Sequence, residues 1–171
     1  TYEGSNAFTN NVIDSVYGTY HAYIYYQNRM TFTGNQFTNM MYASGYGMYM
    51  YSSNRGNFNK NFFSAPLGMA NGVLYITSCN TLQTGPMNWI NNMIYQGTGT
   101  SSTYNVYMGS CDRIDFRSNN VLSMNSNTAN YNVYIVNTSS ANNNYVSNNI
   151  VNKGGGYACY VYYGKVSPLY G

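Results

Sequence analysis

The sequence predicts an all-β fold, a parallel solenoid of about six coils, from three observations. A pattern of aromatic, two residues, Asn, one residue, apolar recurs six times along the chain. A second pattern, apolar–Tyr–apolar, recurs six times between the copies of the first. No stretch carries a helical apolar stripe with caps. The first pattern stands at Phe8–Asn11–Ile13, Phe32–Asn35–Phe37, Phe58–Asn61–Phe63, Trp89–Asn92–Ile94, Phe116–Asn119–Val121 and Tyr145–Asn148–Ile150, with Asn-to-Asn steps of 24, 26, 31, 27 and 29 residues. The second stands at Ala22-Tyr23-Ile24, Met48-Tyr49-Met50, Leu74-Tyr75-Ile76, Val106-Tyr107-Met108, Val133-Tyr134-Ile135 and Cys159-Tyr160-Val161, with steps of 26, 26, 32, 27 and 26. Both series lengthen at the third step, so they are parts of one repeat.

Within a repeat each element has a local reason. The aromatic–Asn–apolar segment turns at its Asn, a residue that tolerates left-handed backbone angles and whose amide both donates and accepts. Stacked at one strand spacing of about 4.8 Å, Asn11, Asn35, Asn61, Asn92, Asn119 and Asn148 form a structural amide ladder, and the motif aromatics a core column. Next comes the apolar–Tyr–apolar strand, whose flanking columns are uniformly apolar and point inward; Met fills irregular gaps there. Strand alternation then turns Tyr23, Tyr49, Tyr75, Tyr107, Tyr134 and Tyr160 outward, with Tyr25, Tyr51 and Tyr162 on the same face. A further column, Tyr20, Tyr46, Tyr104, Tyr131 and Tyr157, lies three residues earlier near a bend, and alternation alone does not assign its face. The extra residues of the long step fall in Thr77–Asn88, around Gly85-Pro86, as a rim loop. A propeller blade needs about 40 residues and four strands, and sandwich strands do not explain one motif recurring in phase.

The Asn-Asn-Val/Ile turns (Asn10-Asn11-Val12-Ile13, Asn119-Asn120-Val121, Asn148-Asn149-Ile150) and strands such as Gly47-Met48-Tyr49-Met50-Tyr51 and Asn105-Val106-Tyr107-Met108 resemble the right-handed parallel β-helix repeat proteins, the pectin-lyase-like architecture. The resemblance covers nearly the whole chain and implies the right-handed sense. The Tyr- and Asn-rich, charge-poor version is similar to β-helix tracts of very large secreted surface proteins of Bacteroidetes-type bacteria. That architecture hosts lyases, tailspikes, adhesins and passive stalks, so function is read from the residues.

Charged residues make up 6% of the 171, against about 25% in an ordinary domain, and the net charge is +3. A charge of this size spread over the chain is no basic stripe for nucleic acid. No apolar run approaches a transmembrane segment. The acids are Glu3, Asp14, Asp112 and Asp115, and His21 is the one histidine. Hydrolytic, lyase and metal chemistry draws on these types, so no catalytic residue, metal site or cofactor is assigned. Asp112-Arg113-Ile114-Asp115-Phe116-Arg117 reads as local ion pairs, although a lyase or glycosidase would seek its carboxylates there. His21 reads as a rim residue. Arg29, Arg55 and Arg113 share one position on a solvated rim; a sharper reading is a guanidinium site for sulfate or uronate groups.

Cys79 and Cys111 each follow a central Tyr by four residues in consecutive coils, with Cα atoms about 5 Å apart. That spacing permits a disulfide and equally permits side-by-side thiols; Cys159 belongs to an inward column. Asn137-Thr138-Ser139 fits an N-glycosylation acceptor. Asp14-Ser15-Val16 looks like the O-glycosylation acceptor of Bacteroidetes-type secreted proteins.

The outward Tyr face is the most functional-looking feature. Stacking for stability, packing against another protein and sugar binding all fit it. Free-standing solenoids need polar capping elements, and none is evident in the sequence. The chain therefore reads as a single uncapped β-helix segment, 1–171, of a longer protein or assembly. Its expected partners are other copies or further coils, and carbohydrate on the Tyr face. The expected function is a non-enzymatic structural or adhesive module of an extracellular or cell-surface fibre, stalk or adhesin. The alternative is a carbohydrate-active domain, a polysaccharide lyase or tailspike-like glycan binder.

Overall fold

In the computed structural model, residues 3–41, 45–67, 69, 71–81, 85–98, 104–136, 143–152, 156–162 and 165–167 are described. The first coil holds β1 (Glu3–Gly4), β2 (Ala7–Thr9), β3 (Val12–Asp14) and β4 (Tyr20–Tyr25). The second holds β5 (Gln27–Asn28), β6 (Thr31–Thr33), β7 (Gln36–Thr38) and β8 (Tyr46–Tyr51). The third has β9 (Asn57–Asn59), β10 (Phe62–Ala65) and β11 (Gly72–Thr77); the fourth has β12 (Met87–Ile90), β13 (Met93–Gln96) and β14 (Tyr104–Gly109). Then follow β15 (Ile114–Ser123), β16 (Tyr131–Val136), β17 (Asn143–Asn152), β18 (Tyr157–Tyr162) and β19 (Lys165–Ser167). There is no helix among the described residues.

Every paired strand runs parallel to its neighbour in an adjacent coil. The Tyr strands form one sheet in the order β18-β16-β14-β11-β8-β4, and the aromatic–Asn–apolar strands form an 11-stranded sheet. The chain thus winds through about five turns of an all-β parallel solenoid. Its register stacks like on like: Tyr23 lies over Tyr49, Tyr49 over Tyr75, Tyr75 over Tyr107, Tyr107 over Tyr134 and Tyr134 over Tyr160.

The interior is filled by the flanking columns. Met48, Met50, Leu74, Ile76, Val106, Met108, Val133 and Ile135 are fully buried. Opposite them Phe8, Phe32, Phe58 and Trp89 stack at centroid distances of 5.2, 5.8 and 4.3 Å. Phe37 stacks on Phe63 at 5.4 Å. Tyr145 does not continue the aromatic column: Phe116 lies beside Val146, Tyr145 beside Asp115, and the register shifts by one residue between Arg117 and Asn120. The shift is absorbed before Asn119, which still meets Asn148.

The left-handed backbone falls one residue before Asn11, Asn35, Asn61, Asn92 and Asn119 instead of on them. Asn10, Lys60, Asn91 and Ser118 have φ of 57°, 57°, 57° and 55°, and Gly34 has 70°. This bend lets the residue's N–H reach the next coil: Asn10 donates to Thr33 O at 3.0 Å and Lys60 to Ile90 O at 3.1 Å. The same conformation recurs at Tyr26, Ser52, Ser78 and Ser110 and at Arg29, Arg55 and Arg113, so left-handed residues mark further corners of the coil.

Candidate binding surface

The Tyr face is built by a bend that strand periodicity does not reveal. In β8, β14 and β16 two consecutive residues are buried: Gly47 and Met48, Asn105 and Val106, Asn132 and Val133. The first of each pair drops out of the ladder, so Tyr20 pairs with Tyr46 and Ala22 with Met48 while His21 and Gly47 are passed over. That extra inward residue brings the Tyr20 column onto the same side as the central tyrosines. Gly72 interrupts this second column.

The two columns lock together. Central rings stack face to face at 5.5, 5.4, 4.2, 5.8 and 5.1 Å, with interplanar angles of 4°, 7°, 9°, 17° and 4°. The second column stacks in parallel, at 5.5 Å for Tyr20–Tyr46 and 5.1 Å for Tyr131–Tyr157. Between the columns the rings meet edge to face, as in Tyr46–Tyr75 at 5.0 Å and 72° and Tyr131–Tyr160 at 5.4 Å and 64°. Both geometries are favoured by the ring quadrupole. Inner rings therefore have their faces covered by neighbours and present edges to solvent. Tyr23, in the first coil, is 54% exposed.

Burial first, and neighbouring phenols second, push Tyr49, Tyr75, Tyr104 and Tyr134 above the ordinary phenol range. Tyr25 is raised to about 12, chiefly by a hydrogen bond with Tyr26. These phenols stay neutral at physiological pH.

Behind it the Asn ladder is continuous. Asn11, Asn35, Asn61, Asn92 and Asn119 each donate an amide hydrogen to the next Asn Oδ1, at 3.0, 3.1, 2.9, 2.9 and 2.8 Å. The backbone N–H of each donates to that same oxygen at 2.9–3.0 Å. The second amide hydrogen of Asn35, Asn61, Asn92, Asn119 and Asn148 reaches a backbone carbonyl: Phe8, Phe32, Phe58, Trp89 and Phe116. A further polar rung escaped the sequence reading: Asn105 donates to Asn132 Oδ1 at 2.9 Å. Its Asn-to-Asn step of 27 carried the signal in a sequence crowded with Asn.

The charged cluster is paired. Asp115, 7% exposed, accepts from Arg117 Nε and, at 2.6 Å, from its Nη2. Arg113 lies 3.0 Å from Asp112. Asp14 sits on the exposed rim, and hydrogen bonds from Thr38, then Asn39 and Ser15, hold its carboxyl below the usual range. Ser15 Oγ donates to Asp14 at 3.1 Å; the Asn137 acceptor lies outside the described residues. Cys79 and Cys111 lie side by side as buried free thiols. Burial, then the hydrogen bond to Cys111, pushes the Cys79 thiol up.

His21 is half-buried and not a simple rim residue. It contacts Val16 O and Tyr46 O and lines, with Phe8, Ile13, Ala22 and Met30, a largely apolar cavity of about 270 Å³ in the first coil. No cluster of metal-ligating side chains occurs among the described residues. No described helix is long and apolar enough to cross a membrane. Of the comparisons with known proteins, the family model described as "Right handed beta helix region" matches residues 1–170. No curated protein and no solved structure matches the chain.

Proposed function

The chain belongs to the right-handed β-helix family, and from that premise we propose that it is a non-enzymatic structural or adhesive module of an extracellular fibre, stalk or cell-surface protein. The observation that carries this reading is the closed stacking of the tyrosine face. Rings spaced 4.2–5.8 Å apart along five successive contacts make a stiff, uncharged strip of ring edges. Such a strip suits packing against another protein surface, a neighbouring rod included. Continuous sheet and amide ladders, with little charge to repel a neighbour, also favour a load-bearing or scaffolding part.

The carbohydrate reading has less support. A pyranose lying on an aromatic ring needs an open ring face, and the inner rings cover one another. The carboxylates of Asp112 and Asp115 are engaged with Arg113 and Arg117. The test is direct: the chain is incubated with neutral and acidic polysaccharides, and released reducing ends and unsaturated uronates are measured. No turnover is expected. Turnover that disappears in Asp115→Asn would overturn the reading in favour of a polysaccharide lyase or glycosidase.

A further inference from the structure

We infer that Cys79 and Cys111 are a covalent cross-linking site, at which a small-molecule disulfide oxidises the two thiols to a bond tying one inner coil to the next. The site lies between inner coils, so it exists whatever precedes or follows them. It is independent of the role proposed for the tyrosine face.

The register brings the two residues together. Thr77 pairs with Gly109, and a cysteine stands two residues beyond each. Backbone hydrogen bonds bracket the pair: Ser78 N–H donates to Gly109 O at 2.9 Å, and Asp112 N–H donates to Cys79 O at 3.1 Å. The cysteines are therefore one strand spacing apart, about 4.8 Å. That lies inside the range of about 4.4–6.8 Å between Cα atoms that a disulfide spans. Their side chains are disposed alike. Each Sγ lies 3.2 Å from the carbonyl oxygen two residues before it, Thr77 O and Gly109 O. Each also lies 3.9 or 3.6 Å from a carbonyl one layer earlier in the stack, Met50 O and Ile76 O. One sulfur thus stands over the other, and bond formation gives up only weak S–H donors.

The column that holds them shows what is particular to the pair. One layer earlier the position is Ser53, whose Oγ accepts from Gln27 N–H and donates to Tyr51 O, both at 3.2 Å. A hydroxyl meets the structural need of this column, yet the next two layers carry thiols. They have no competitor, because Cys159 lies in a different column, paired with Val133. The bond would enclose residues 80–110, which contain most of the longest insertion in the repeat. A cross-link restricts the unfolded chain more as the enclosed loop grows.

The chemistry is thiol–disulfide exchange. One cysteine thiolate attacks a sulfur of the small disulfide, making a mixed disulfide and releasing one small thiol. The second cysteine thiolate then attacks the protein sulfur of that mixed disulfide and releases the other small thiol. The protein loses two electrons and two protons, and the small disulfide is reduced to two thiols. Cys79 and Cys111 are both fully buried, so exchange needs the coils open and belongs to folding instead of to the closed stack.

Refolding of the reduced chain from urea in a mixture of oxidised and reduced glutathione tests this. One free thiol of the three should remain, the mass should fall by two hydrogens, and a proteolytic fragment should join Cys79 to Cys111. The urea midpoint of the linked chain should exceed that of the same chain after reduction by about 1 M. Cys79→Ser and Cys111→Ser should each abolish the link, and Cys159→Ser should leave it intact. Circular dichroism checks that the serine variants fold, as Ser53 in the same column leads one to expect. Three thiols remaining after refolding overturn the inference. So do the three possible pairings in equal yield, or a linked chain less stable than the reduced one.

Discussion

Asn92 carries six hydrogen bonds in a site that is 1% exposed: two given to Asn119 Oδ1, one to Phe58 O, two received from Asn61 and one accepted by its carbonyl from Asn120 N–H. Replacing it by Ala strands partners on both neighbouring coils, each buried group costing about 1–3 kcal/mol. Asn92→Ala should therefore lose about 3 kcal/mol or more in urea unfolding. Asn57→Ala, which removes an exposed acceptor from Asn88, should change stability by less than about 0.5 kcal/mol. The tyrosines make a separate prediction through pH. The folded pKa values of Tyr25, Tyr46, Tyr49, Tyr75, Tyr104 and Tyr134 are raised, so at these positions the neutral phenol favours the fold fully below about pH 10, the unfolded value. That contribution is lost as pH rises through the folded values, about 12 for Tyr25. Phenolate absorbance should show fewer tyrosines ionised at about pH 11 in the native chain than in urea.

At the scale of the strand, glycines mark where neighbouring elements approach too closely for a side chain. Gly97, just after β13, donates to Ala65 O, and a Cβ there would stand 1.7 Å from Pro66 O. The obstruction is backbone and cannot rotate away. Gly97→Ala should cost more than about 3 kcal/mol in urea unfolding or prevent folding. Gly109 is a softer case: its Cβ would meet the Tyr107 ring at 2.5–2.8 Å. The missing side chain leaves room for Tyr107 to lean, and Tyr75 and Tyr107 make the tightest central stack, 4.2 Å.

At the scale of the whole molecule, protection should follow position along the axis. Inner coils are packed on both sides, whereas Phe8, Ile13 and Ala22 have a neighbour on one side only. Local opening is cheapest where few apolar contacts are lost. Amide hydrogen exchange should therefore be slowest around Met50, Ile76 and Met108 and fastest in β2 and β3. Uniform protection from β2 to β14 would mean that the coils open only together.

Much of this was readable before any coordinates. Two patterns sharing one period place equivalent residues over one another, because parallel strands in register repeat at one spacing, and alternation sorts apolar from Tyr positions. The amide ladder, the inward Met and aliphatic columns and the outward central tyrosines followed from that alone. Corner geometry and contacts between coils settled the rest. The paired inward residues at Gly47-Met48 and Asn105-Val106 decide the face of the Tyr20 column, and a strict period of two has no place for them. The shift that sets Val146 beside Phe116, and the covering of each inner ring by the next, depend on neighbours about 30 residues away. A local pattern specifies which residue stands in a column; how its side chain turns is set by the coils above and below it.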